Sequence, residues 1–208
     1  MSSREYAKAH RGDFKVLQRI SAQLYDVIKY MHWLNYIHAD LKPENVLIDR
    51  YGDVKAIDFG FAIVKPYFKH YRGTPSTNSP ELMKLIPKAA IMENIDWWAF
   101  GATIAMWAAT DQLPKIYPTG GKHSHRWILL RISKRQGYYF GPVPKEFPQE
   151  LRQVLYYCLS PYPTRRRWAT GEQLAWFESL PFWDGIDFER IGFPWRSITS
   201  SMEPTEGM

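Results

Sequence analysis

The sequence predicts a mainly α fold with one short β-hairpin, and three observations carry that prediction. Apolar residues recur at helical spacing from Phe14 to His32. The run Asp96 to Thr110 is apolar nearly all round, the pattern of a helix buried on every side. The β-like runs, Val46 to Ile48 and Val54 to Ile57, stand next to each other across the turn-rich stretch Asp49 to Asp53, which contains Gly52.

Taken in order, residues 1–12 are polar and basic with no apolar core of a signal peptide, and read as an N-terminal extension. In the helix that follows, Val16, Ile20, Leu24, Val27 or Ile28, and Met31 form one face, while Lys15, Arg19 and Lys29 point elsewhere. Pro43 breaks the loop before the hairpin. Residues 58–81 hold two Gly and three Pro without sustained periodicity, which predicts a long ordered loop of the kind that carries function. After the buried helix comes a weaker helical run, Trp127 to Ile132. Pro148 suits a first helical position ahead of the stripe Leu151, Val154, Leu155, Cys158 and Leu159. Thr170 and Gln173 form a capping box before Leu174 and Phe177. That makes five or six helices and a single hairpin. Residues 190–208 read as a flexible tail, rich in Ser, Thr, Pro and Glu from Ser197 on.

Composition narrows the function classes. A chain of 208 residues, 45% hydrophobic and 23% charged, can bury a sizeable core and is not disordered. Nine Trp within 16% aromatics must fill much of that core. The net charge of +6 is too mild to argue for nucleic acid, which is disfavoured as a partner. Cys158, the one cysteine, cannot close an internal disulfide, and no apolar run is long enough to span a bilayer. The expected setting is intracellular, cytoplasmic or nuclear, with no membrane role.

The loops carry the chemistry. They read His38-Ala39-Asp40-Leu41-Lys42-Pro43-Glu44-Asn45, then Asp58-Phe59-Gly60 just past the hairpin. Gly73-Thr74-Pro75, Ser79-Pro80-Glu81 and Asp96-Trp97-Trp98-x-x-Gly101 follow. Each triplet alone is weak; the ordered set is specific.

In that order the motifs resemble the C-terminal lobe of a eukaryotic protein kinase, over residues 13–189, with a catalytic loop at 36–45 and an activation segment at 58–81. Lys42 and Thr74 resemble the serine/threonine branch. Leu180-Pro181-Phe182-Trp183 followed by Ile186-Asp187-Phe188 resembles the cyclic-nucleotide-dependent (AGC) group. The resemblance implies transfer of the ATP γ-phosphate to Ser or Thr hydroxyls of a protein substrate. It implies Asp40 as the base, Lys42 against the γ-phosphate, and Asn45 and Asp58 as oxygen ligands of Mg²⁺. Thr74 would orient Asp40 and Lys42. His38, Phe59 and Gly60 would be structural, Phe59 packing to set Asp58 and Gly60 permitting the turn. Glu81 would pair with Arg166, and Asp96 would tie the buried helix to the catalytic-loop backbone.

The chain also departs from the family pattern. Residues 1–37 contain no G-x-G-x-x-G and no V-A-I-K-like strand, so the resemblance implies a large lobe whose small N-terminal lobe is absent. ATP and Mg²⁺ binding is then expected to be weak, and an apolar patch is expected near the hairpin and the loop after Gly60. Ala39 stands where the family keeps an arginine that clamps a phosphorylated residue, and His70 stands where that residue would be. Residues 76–79 are polar where the family builds an apolar subsite. Lys65, Lys69, Arg72 and the basic helix patch that follows point to an acidic substrate or partner. The patch Lys122, Arg126, Arg131, Lys134 and Arg135 reads as a solvated helix face, and His123-x-His125 as a solvated loop rather than a metal site. The alternative function is a weak or inactive lobe, a pseudokinase candidate, that serves as a decoy or scaffold for another kinase or its substrate.

Overall fold

The computed structural model describes residues 1–64, 73–74, 77–82, 93–109, 147–160, 162–166 and 171–191, which hold six α-helices and four short strands. Helix α1 is Ser3–Ala9 and α2 is Phe14–Trp33. Strands β1 (Tyr36–Ile37), β2 (Val46–Ile48), β3 (Val54–Ala56) and β4 (Ile63–Val64) follow, then helices α3 (Asn94–Ala109), α4 (Gln149–Cys158), α5 (Gly171–Glu178) and α6 (Phe188–Ile191).

Asp13 starts α2 by accepting the Val16 N–H at 3.0 Å. Its buried face is Ile20, Leu24, Ile28 and Met31, with Ile28 rather than Val27 in the fully buried position. Tyr25 on the same helix is the meeting point of the core. Its ring lies 5.4 Å from Trp97 of α3 and from Phe177 of α5, 5.9 Å from Trp183 and 5.5 Å from Phe188. Such large rings pack by offset and edge contacts, which fixes the helices against one another.

Helix α3 is the central helix its composition predicts: every residue but Met106, Ala108 and Ala109 is buried. It packs against α1, α2 and α4. Gly101 allows the last of these contacts, because a Cβ there would fall on the Cβ of Cys158 and 3.0 Å from Leu159 Cγ. Cys158 is a buried free thiol, and burial raises its pKa well above the ordinary value.

Four expectations change. Residues 1–12, read as an extension, contain α1, closed by a capping box in which Ser2 and Glu5 bond each other's backbone. Ser3 is buried, donates to the Pro43 carbonyl at 2.8 Å and accepts from Trp107 Nε1 at 3.0 Å, so α1 is tied to both α3 and the loop before the hairpin. The single hairpin is joined by a second ladder, in which Tyr36 pairs with Val64 and Ile37 with Ile63, antiparallel. Strand β3 stops at Ala56 rather than Ile57. Pro148 caps α4 from outside; the helix begins at Gln149.

Trp127 to Ile132, the patch Lys122, Arg126, Arg131, Lys134 and Arg135, His123, His125, Lys65, Lys69, His70, Arg72, Ser76, the Thr170 capping position and the tail beyond 191 lie outside the described residues. No helix among the described residues is long and apolar enough to cross a membrane.

Candidate active site

Two ladders bring the site's segments together. The hairpin pairs Val46 with Ala56, and the Ile57 N–H continues it to the Asn45 carbonyl at 2.9 Å. The β1–β4 pair joins the chain ahead of His38 to the chain beyond Gly60. Residues 38–45 and 57–62 are therefore clamped side by side, with Asn45 and Asp58 at the open end of the hairpin.

Asp96 fixes the first of these loops. Its Oδ2 accepts the His38 N–H at 2.8 Å and its Oδ1 accepts the Ala39 N–H at 2.9 Å. Between those bonds Ala39 holds φ 65, a left-handed conformation that costs a non-glycine residue roughly 1–2 kcal/mol. Burial by itself would push the Asp96 carboxyl up. The hydrogen bond from His32 leads the effects that outweigh it, the His38 N–H among them, and they hold the pKa below the ordinary value.

Asp40 sits at the next position, buried. Its Oδ1 accepts the Thr74 N–H at 2.7 Å, and its Oδ2 accepts from Lys42 Nζ at 2.8 Å and Asn45 Nδ2 at 3.2 Å. Lys42 Nζ also donates to Thr74 Oγ1 at 2.7 Å, and Asn45 Nδ2 to the Asp40 carbonyl at 2.9 Å. Thus Asp40, Lys42, Asn45 and Thr74 form one bonded cluster around a single carboxylate. Thr74 can approach this closely because Gly73 precedes it at φ 120; a Cβ on Gly73 would lie 2.8 Å from the Ala39 carbonyl oxygen.

His38 joins the two loops. Its Nδ1 accepts the Asp40 N–H at 3.4 Å, which leaves Nε2 to donate to the Ile57 carbonyl at 3.2 Å. Asp58 does not bond to the Asp40 cluster; its Oδ1 accepts the Gly60 N–H at 3.3 Å. The left-handed residue of this turn is Asp58 itself, at φ 63, and not Gly60, where the sequence places the freedom. Phe59 also differs from expectation: it is 52% exposed, and among the described residues its ring contact is with His38, at 5.2 Å. The expected apolar patch is present. Tyr30, Met31, Leu34, Tyr36, Val54, Ala56, Phe59 and Ala62 line a cavity of about 620 Å³ beside the hairpin.

Glu81 and Arg166 meet away from this cluster. Arg166 Nη2 lies 2.6 Å from Glu81 Oε2, Nη1 donates to the Asn94 carbonyl at 2.6 Å, and Asn94 Nδ2 donates to Glu81 Oε1 at 3.1 Å. Both charged side chains are fully buried.

Among the described residues no three His, Cys, Asp or Glu side chains converge as a metal cage. The donor set fits Mg²⁺ nonetheless, because that ion takes one or two protein oxygens and completes its shell with water and phosphate oxygens. Asn45, whose amide nitrogen is turned to Asp40, and the exposed Asp58 supply oxygens of that kind. Sequence reasoning missed His32, whose Nε2 bonds Asp96 Oδ2 at 2.8 Å. A histidine at the end of an amphipathic stripe carries no signal of a partner 64 residues away.

A family model described as the protein kinase domain matches residues 4–175. The chain belongs to the protein kinase family. This kinase chain is 28% identical over 186 residues to the cAMP-dependent protein kinase catalytic subunit 2 of Drosophila melanogaster, covering 89% of the chain and 49% of that protein. It is 39% identical over 101 residues to the cAMP-dependent protein kinase catalytic subunit of Schizosaccharomyces pombe, covering 47% of the chain and 19% of the relative. The 3-phosphoinositide-dependent protein kinase 1 of Arabidopsis thaliana is 26% identical over 201 residues, covering 88% of the chain and 36% of that protein. The kinase chain thus spans about half the length of the Drosophila relative and less of the others. The relatives it resembles are eukaryotic serine/threonine kinases of the AGC group.

Proposed function

We propose that this chain is the large lobe of a serine/threonine protein kinase and supplies the reacting groups that transfer the γ-phosphate of ATP to a Ser or Thr hydroxyl of a protein. The observation that carries the reading is the buried Asp40 carboxylate, bonded by Lys42, Asn45 and the Thr74 N–H. Asp40 orients the acceptor hydroxyl and takes its proton as the oxygen bonds to the γ-phosphorus and the bond to the bridging oxygen breaks, releasing ADP. Lys42 sets a positive charge beside the transferring group while holding Asp40 through the same ammonium. Thr74 fixes both partners. Asn45 and Asp58 would hold Mg²⁺, which when bound would offset the phosphate charge. Ala39 lacks a cation for a phosphorylated residue and instead joins Ile37, Leu82, Ile95 and Ile63 in an apolar cluster, which supports an ordering of the activation segment that does not need phosphorylation.

The test is transfer of labelled γ-phosphate by the 208-residue chain with Mg²⁺, alone and with the small lobe of a cAMP-dependent kinase added in trans. Label that vanishes in the Asp40→Ala variant is the expected result. No label in either arm from folded protein overturns the reading.

A further inference from the structure

We propose that Arg4 and Lys8, on the exposed side of helix α1, are specificity-determining residues that hold carboxylates of the acceptor protein, so that the Ser or Thr presented to Asp40 lies in an acidic segment. The inference rests on the kinase reading for the reaction, while the contact it assigns is a binding contact and is measured as one.

Helix α1 is held against the site by the first residues of the chain. Met1 and Ile48 exchange backbone hydrogen bonds at 3.2 and 3.0 Å. The Ser3 hydroxyl donates to the Pro43 carbonyl at 2.8 Å. Pro43 opens the turn Pro43–Asn45; Lys42 just before it and Asn45 at its end both bond the Asp40 carboxylate. Glu44, the middle residue of that turn, faces α1. Its Oε1 lies 3.6 Å from Arg4 Nη1, and both side chains are more than half exposed. The four residues from Asp40 to Glu44 span at most about 14 Å, so this pair lies within a short peptide's length of the base.

The charges on this side of α1 leave room for an anion. Lys8 follows Arg4 by one helical turn and is exposed, with no carboxylate partner among the described residues. Like charges at that spacing repel, and an anion between them removes the repulsion. Glu5 does not serve, because its Oε2 accepts the Ser2 N–H and the Ser2 hydroxyl and is held at the start of the helix. Glu44 does not exhaust Arg4 either. At 3.6 Å the contact is longer than a hydrogen bond, and a guanidinium has five N–H groups with which to meet a second carboxylate. An exposed pair of this kind is weak, so Arg4 can turn to a substrate carboxylate at little cost. A basic acceptor segment finds the reverse: Glu44 beside the site already faces Arg4, and Arg4 and Lys8 repel it.

The experiment measures peptide binding to the 208-residue chain by fluorescence anisotropy at low salt. One labelled peptide carries a central Ser with Glu on both sides; its twins carry Gln or Lys in place of Glu. The Glu peptide should bind about tenfold tighter than the Lys twin. Arg4→Gln combined with Lys8→Gln should weaken the Glu peptide about fivefold, the weight of two exposed ion pairs. Arg165→Gln combined with Arg190→Gln removes the same charge from exposed positions outside α1, and should leave affinity within about twofold of the parent. Preference for the Lys twin, or an equal loss in the two double variants, overturns the proposal. In amide nuclear magnetic resonance spectra the Glu peptide should shift the signals of residues 4–8 and 42–45, and shifts confined to other residues overturn it. Where the parent transfers phosphate, the α1 double variant should raise KM for the Glu peptide about fivefold with kcat unchanged. Binding of the Glu peptide at α1 without transfer tells against the functional reading and leaves the acidic contact standing.

Discussion

Arg166 and Glu81 are both out of water, and their 2.6 Å contact is completed by Asn94 on one side and the Trp98 ring under the guanidinium on the other. Such a pair adds little over an apolar pair of the same size, whereas removing one member strands a buried charge. Arg166→Met should therefore lower unfolding free energy by about 3–5 kcal/mol in urea titrations, and Glu81→Leu added to it should recover most of the loss. A single variant within about 1 kcal/mol of the parent would refute that account. Asp96 gives a pH prediction of definite sign. Its folded pKa lies below the ordinary 3.8, so its contribution is complete above that value and is lost as the pH falls from 3.8 through the lower folded value. The Asp96 carboxyl carbon-13 signal should report more than half of the ionised form at pH 3.8, and a midpoint at or above that value would count against this account. The Asp40 cluster was legible in the sequence because Lys42, Asn45 and Thr74 stand at fixed offsets in short motifs. The left-handed Ala39 and the bond from His32 were not, since both depend on Asp96, which lies more than fifty residues along the chain.

At the scale of elements, long periodic segments were readable and short ones were not. Helices α2 and α3 follow from their apolar patterns over 20 and 16 residues. Strands β1 and β4 have two residues each, too few to show alternation, and form because Ile37 and Ile63 share the small apolar cluster with Ala39. Helix α1 had a signal in Ser2 and Glu5, but its polar composition hid that Ser3 would be buried between Pro43 and Trp107. The contact between α3 and α4 depends on the missing side chain of Gly101. Gly101→Ala must push Cys158 and Leu159 away, and should cost about 1–3 kcal/mol of stability even though alanine is the better helix former. Thermal unfolding of the variant decides it: a gain in stability would show that α4 can move at no cost, and that the close approach is incidental.

For the molecule as a whole, the described core gathers around Tyr25, yet one face beside the candidate site stays apolar and open. Tyr30, Leu34, Tyr36 and Phe59 are exposed and line the 620 Å³ cavity, with Trp33 and Val64 also exposed close by in sequence. Isolated exposed apolar residues are ordinary, but a contiguous group around a concave surface is a site of association. Because this face is made of helix α2, strand β1 and the hairpin rather than of a loose segment, it should persist in the native state and not depend on partial unfolding. A dye that fluoresces in apolar surroundings should therefore bind the native chain, at neutral pH and without denaturant. Tyr30→Glu combined with Leu34→Glu places charge on the cavity wall while leaving the buried stripe of α2 intact. The pair should cut dye binding severalfold and change unfolding free energy by no more than about 1 kcal/mol, as surface substitutions do. Equal fluorescence from parent and variant would place the dye elsewhere. Loss of dye binding together with a large loss of stability would show that these side chains belong to the core.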